Sequence, residues 1–378
     1  MIFTEEQLMI RDSAREFARR IIAPNAAAWE AAHAVPRDVL REMAQMGLMT
    51  IPIPAAWGGA GADYIAYSLA LTEIAAGDGA ISTVMSGQNS VVAMPLLDYG
   101  TDEQRQRYLR PLSTGAMLGA FALTEPQSGS DASDIRTTAV RDGNGWRIDG
   151  TKQFITTASI ADFIIVFAST ERSAGKKGIS AFIVETSTPG FRVTRIENKM
   201  GQNASDTCEV VFDGAKVGAD AILGHEGEGY KIALSNLEGG RIGIASQCIG
   251  MARASLDIAV AYAKERRTFG KPIAAHQGVA FRLAEMATSL KAAEQLVLHA
   301  AELKAAERPC LVEASMAKLF ASEMVERVCS DAIQTLGGNG YMVSYDVERI
   351  FRAARGPKIY EGTNDIQRLV ISRAMTGY

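Results

Sequence analysis

The hydrophobic rhythm of this chain changes twice, and that double change limits the fold more than any single motif. Up to about residue 120, apolar residues recur at helical spacing. From Phe121 to about 222, β-branched residues, turn signals and short alternations replace them. After Gly229 helical spacing returns in long segments. A capping box, Thr4 to Gln7, opens the first amphipathic run, in which Ile10, Ala14, Phe17 and Ile21 step by four, three and four. Pro24 is expected to end that helix. Further helices are expected over about 37–47, 63–76, 80–98 and 102–114. In the middle, Asp142-Gly143-Asn144-Gly145 signals a hairpin, and Phe163 to Phe167, Ile179 to Val184 and Glu209 to Phe212 read as strands. Helices over about 230–264, 276–305 and 311–336 then suggest a bundle. The second of these carries a stripe of Ala280, Leu283, Met286 or Ala287, Leu290, Ala293, Val297 and Ala300. The expected fold is α+β in three closely joined domains: helical over 1–119, β over 120–224, helical bundle over 225–378.

A chain of 378 residues with 47% hydrophobic and 22% charged residues can build two or three cores. The formal net charge is -4 with no basic block, which argues against nucleic acid as a partner. No apolar run reaches the length of a membrane span. The start lacks the features of a signal or transit peptide, so a cytoplasmic location is expected. The four cysteines, Cys208, Cys248, Cys310 and Cys329, have no C-x-x-C spacing, and the four histidines are far apart. Buried thiols are expected, and neither disulfides nor a metal site.

Five stretches carry unusual chemistry. Tyr360-Glu361-Gly362-Thr363-Asn364-Asp365 places a carboxylate before a glycine and a helix-capping threonine. It is either a positioned general base or a solvated glutamate in a helix-leading loop. Thr124 to Asp131 offers hydroxyls and main-chain donors at the entrance to the β region. Lys152 to Thr157 sets an aromatic beside hydroxyls on a strand. Arg266-Arg267-Thr268-Phe269-Gly270-Lys271 is either an anion site or a charge cluster at a helix end. Gln334-Thr335-Leu336-Gly337-Gly338-Asn339-Gly340 ends a helix in glycine.

In this order and spacing, these stretches resemble the acyl-CoA dehydrogenase family, from the first helix to Arg373. The most specific matches are Leu123-Thr124-Glu125-Pro126 with Ser128-Gly129-Ser130-Asp131, Arg267-Thr268-Phe269-Gly270, Gly337-Gly338-Asn339-Gly340 and Ile359-Tyr360-Glu361-Gly362-Thr363. The resemblance implies a helical domain, a β-barrel-like domain and a four-helix bundle. It also implies bound FAD and a homotetramer built as a dimer of dimers. Residues matching flavin-binding positions are Leu123, Thr124, Ser130, Phe154 and Thr156. Arg266, Thr268, Phe269, Gln277, Gln334, Gly337 and Gly338 match positions that reach the FAD of a neighbouring subunit, and Thr363 and Asp365 match positions that flank the adenine end. Ser130, Arg241 and Gly362 match the substrate side.

The implied reaction is α,β-dehydrogenation of an acyl-CoA, with Glu361 removing the α proton and electrons passing to an electron-transferring flavoprotein. One branch of the family carries its base just before the arginine that matches Arg241. Here that residue is Gly240, which leaves Glu361. Ser82 stands where glutaryl-type members carry an arginine, so a dicarboxylyl substrate is disfavoured. Leu237 to Arg241 looks most like short-chain and short branched-chain members. Asn203 and Ala353 replace a more usual arginine or cysteine and a common aspartate. An oxidase or monooxygenase on the same fold, and a non-catalytic acyl-CoA-binding relative, are the alternative readings.

Overall fold

The computed structural model describes residues 2–377. Helix Glu5–Phe17 starts at the expected capping box, with the Thr4 and Gln7 side chains each bonded to the other's main chain. Pro24 does not end it. The coil widens over Ala18–Ile22 and continues as helix Ala23–Ala32, stopping at left-handed His33. Similar wide turns at Gln88–Val92 and Arg105–Leu109 precede Pro95 and Pro111. In each, the N–H after the turn bonds five residues back: Ala23 to Ala18, Ala93 to Gln88, Arg110 to Arg105. A proline lacks an N–H and crowds the carbonyl four residues before it. A wide turn just upstream opens the coil at that carbonyl, so the helix can pass through the proline. Tyr64–Gly77 is capped by Asp63, and Gly79–Gly87 by Asp78, which accepts from the Ala80 and Ile81 N–H groups.

The middle of the chain forms a mixed sheet of eight strands: β1 (Gly119–Ala122), β2 (Thr138–Asp142), β3 (Gly145–Thr156), β4 (Phe163–Ser169), β5 (Ile179–Glu185), β6 (Phe191–Ile196), β7 (Thr207–Val217) and β8 (Ile222–Leu223). The order is β6-β7-β3-β2-β4-β5-β8, with β1 also on β4. The hairpin signal at 142–145 is the β2–β3 turn. A single pair, Thr138 and Ser169, joins β2 to β4, and the two halves close over one core. Ile164, Val166, Phe182 and Val184 meet Trp146, Ile148, Val210 and Phe212 there. The opposite face of β4, with Phe163, Ile165 and Phe167, packs on Leu96, Leu109 and Leu112 of the N-terminal helices. A strand covered on both faces must be apolar at every position, which explains the unbroken run from Phe163 to Phe167.

After the short helix Gly229–Ser235, three long helices follow: a first (Leu237–Glu265), a second (Gln277–Ala305) and a third (Leu311–Leu336). A closing helix, Asn364–Thr376, lies against the third. The expected stripe on the second helix is buried from Met286 to Ala300, but its start is bare: Ala280 and Phe281 are exposed. A two-stranded hairpin, β9 (Arg267–Thr268) and β10 (Lys271–Pro272), follows the first helix. Among the described residues, no helix is long and apolar enough to cross a membrane. All four cysteines are free thiols in buried positions.

Candidate active site

Glu361 follows a tight turn at Gly356–Lys358 and precedes the closing helix, which Thr363 caps by accepting from the Ile366 N–H. Its backbone is left-handed, φ 55°, an uncommon state for a residue with a side chain. The carboxylate lies against Gly240 on the first helix. A Cβ there would sit 2.8 Å from Glu361 Oε2, so glycine is what leaves the carboxylate its place. Burial pushes the Glu361 carboxyl above the ordinary value of 4.5, and the cations of Arg241 and Lys318 pull it only partly back. Arg241 is buried and donates from Nη1 to Ser315 Oγ at 3.0 Å, while its Nε has no partner among the described residues. Glu238, the carboxylate near in sequence to Gly240, is held by Lys304 at 2.9 Å.

Leu123, Thr124, Phe154 and Thr156 come together at the end of β1 and the end of β3. Lys152 is fully buried; its Nζ donates to the Leu123 carbonyl at 3.0 Å and to Glu125 Oε1 at 2.8 Å. Burial alone would raise the Glu125 carboxyl. Lys152 and the N–H groups of Arg136 and Thr137 instead hold it down at about 2. Burial pushes Lys152 down to about 8 against the pull of Glu125. Between Lys152 and Ile155 the β3–β7 register slips, and Phe154 takes φ 60°. This bulge turns the Phe154 ring outward, 58% exposed near the end of the strand. Thr124, Ser130 and Thr156 keep hydroxyls without a protein partner among the described residues, and Ser130 lies on an exposed loop.

The remaining candidates lie elsewhere. Arg266 ends the first helix, twenty-five residues beyond Arg241, about 37 Å along its axis. Thr268 and the 96% exposed Phe269 are on the hairpin that follows, with exposed Gln277 at the start of the second helix. Gln334, Gly337 and Gly338 end the third helix, and Asn339 Nδ2 donates to Tyr262 Oη at 2.9 Å, so both clusters share one end of the bundle. Gly337 adopts φ 62°, ψ -135°, open only to glycine. Asp365 is exposed, pairs with Arg368, and lies at the Glu361 end.

Three family models cover nearly the whole sequence: acyl-CoA dehydrogenase N-terminal domain over 4–116, middle domain over 120–215 and C-terminal domain over 227–376. The chain belongs to the acyl-CoA dehydrogenase family. It is 49% identical to an acyl-CoA dehydrogenase of Bacillus subtilis over 100% of both chains. It is 44% identical to the mitochondrial short-chain specific acyl-CoA dehydrogenase of Bos taurus, covering 97% of this chain and 89% of that one. It also superposes, with TM-score 0.98 and 45% identity, on a chain of the solved structure of the electron transferring flavoprotein of Acidaminococcus fermentans; the match covers 100% of this chain and 99% of that one.

Asn203 and Ala353 of this acyl-CoA dehydrogenase family member meet at one junction. Gln202 donates to the Ala353 carbonyl at 2.9 Å. Asn203 donates to Glu30 from its N–H and its amide, and Arg352 donates to the same carboxylate at 3.0 Å. Two residues beside Glu361, Lys318 and Gln367, were not singled out from sequence. The available signal was a lysine amid the apolar positions Ala314, Ala317 and Ala321 of the third helix.

Proposed function

We propose that this chain is an FAD-dependent acyl-CoA dehydrogenase. It converts a short straight or branched acyl-CoA to the trans-2-enoyl-CoA, and electrons pass to an electron-transferring flavoprotein. The observation that carries this reading is Glu361: a carboxylate enclosed against Gly240, raised in pKa by burial, on a loop with free main-chain donors. The Glu361 and Gly362 N–H groups have no partner among the described residues. They are available to a thioester carbonyl, whose polarisation acidifies the α C–H. Glu361 takes that α proton.

The donor set suits FAD. Phe154 presents a bare ring near the hydroxyls of Thr124 and Thr156, Leu123 lies on the adjoining loop, and we assign the Ser130 hydroxyl, on the exposed loop that follows, to the same cofactor. When bound, FAD supplies the hydride acceptor. At the far end of the bundle a Cβ on Gly337 or Gly338 would meet nothing within 4 Å, so main chain is open to a cofactor's phosphates. Arg266, Thr268, Phe269, Gln277 and Gln334 surround it. That end lies too far from Glu361 to serve its own site, so we assign it to a second chain's FAD in a homotetramer assembled from dimers. Exposed Phe269, Phe281, Tyr341 and Val343 give it an apolar face to cover. We assign Thr363 and Asp365 to the cofactor, and Ser130, Arg241 and Gly362 to the substrate. The three domains take the bounds 1–119, 120–224 and 225–378, in the cytoplasm.

We base the substrate class on an uncharged network around Ser82. Ser82 is fully buried and, with Gly79 and Thr83, receives the Gln247 amide; Gln247 accepts from Tyr360, and Tyr360 accepts from Gln202. It holds no cation for a distal carboxylate. Anaerobic butyryl-CoA should bleach the flavin, and electron-transferring flavoprotein should restore its colour. No bleaching across a chain-length panel would sink the reading. Glutaryl-CoA should show a lower kcat/KM than butyryl- or isobutyryl-CoA; the reverse order would refute the substrate class.

A further inference from the structure

We propose that Lys318 and Gln367 clamp the main chain of the general base, holding Glu361 in its left-handed turn with the carboxylate against Gly240. The inference rests on Glu361 being the base. Both side chains are fully buried, and they come from different helices. Lys318 Nζ donates to the Gly362 carbonyl at 2.8 Å and to Asn364 Oδ1 at 3.2 Å. Gln367 Nε2 donates to the same carbonyl at 2.8 Å and to that of Glu361 at 3.3 Å. Ser322 adds a third donor to the arrangement, through Asn364 Oδ1 at 3.0 Å. The Gly362 carbonyl thus takes two donors, both from fully buried side chains.

Lys318 makes no ion pair with a carboxylate among the described residues. A buried ammonium held only by a carbonyl and an amide is poor for stability. An apolar residue would suit the core between Ala314, Ala317 and Ala321 better. What the lysine supplies is directed at the loop: donors that fix an unfavourable backbone state, and a positive charge near the carboxylate it carries. Strained backbone persists where its surroundings over-determine it, and here two helices do so. The groups facing Glu361 are Arg241 on the first helix, Lys318 on the third, Tyr67 on Tyr64–Gly77 and the adjoining Tyr360. Those near Lys318 are Cys248, Glu361 and Arg241. Without the Lys318 charge, Arg241 is the only cation stabilising the carboxylate, so the proton is held more tightly.

The test is anaerobic flavin reduction by butyryl-CoA in the FAD-loaded holoenzyme, followed across pH. Lys318→Met should keep its FAD and lose roughly a hundredfold in the reduction rate, the cost of about 1 Å of misplacement. The acid limb of its pH profile should move to higher pH, and Lys318→Arg should move it back. A wild-type rate, or a slow enzyme with an unmoved limb, would overturn the proposal. If Lys318→Met does not fold, Gln367→Met decides. It removes only a neutral donor and should slow reduction at every pH without moving the limb; an unchanged rate sinks the clamp. Glu361→Gln separates the two readings, because a fast Glu361→Gln enzyme refutes the base itself, whatever the Lys318 variants do.

Discussion

As the proposed base, Glu361 sets activity against stability. Its carboxyl is raised above 4.5 by burial, so folding favours the protonated form. The penalty is absent below the unfolded value and grows as pH rises through the folded one. Gln at this position mimics the neutral form. Glu361→Gln should therefore melt above wild type at pH 7, with the difference vanishing near pH 4; a lower melting temperature at pH 7 would contradict the burial argument. The same variant should lose flavin reduction by about ten-thousandfold or more, because an amide cannot take the α proton. Near wild-type reduction would point to another base. The turn was legible in sequence because a carboxylate, a glycine and a capping threonine are local chemistry. Lys318 and Gln367 were not, because their role depends on which loop passes over a helix face, and periodicity alone reads that face as core.

The β3 strand works by being irregular. Its bulge at Phe154 turns an aromatic ring toward solvent, and the buried Lys152–Glu125 pair ties the neighbouring Leu123–Thr124 loop to it. Lys152→Met should cost about 3–5 kcal/mol, since it leaves a buried carboxylate and the Leu123 carbonyl without their partner. It should also weaken FAD retention, read as flavin lost on gel filtration. Unchanged stability would show that the loop stands by itself. Strand and helix positions were largely readable, because each segment's apolar period matches its burial. Pro24 was misread as a stop, because the wide turn that lets the helix pass is a backbone adjustment with no residue signature of its own. The bulge was equally hidden: Phe154 reads as an ordinary strand residue until its neighbours' pairing is known.

Across the molecule, two chemistries sit at opposite ends of the bundle. Glu361, Gly240, Arg241 and Lys318 occupy one end, and Arg266 with the Gly337–Gly338 turn occupies the other. That division was only half visible in sequence. The two groups of motifs could be named, but their separation needed the length and straightness of the helices between them. Arg266→Ala should weaken FAD retention in an assembled enzyme; a stable, FAD-loaded monomer at micromolar concentration would overturn the shared site.

The long first helix also has a genetic consequence. On the proposed shared site, a lesion at one end and a lesion at the other damage different partners' sites, so two alleles that are each impaired alone can complement. When Glu361→Gln and Arg266→Ala chains pair, one site carries both defects and its twin carries neither. Differently tagged, co-expressed chains purified as hybrids should show more turnover than either parent at limiting FAD. Two lesions at the same end should not.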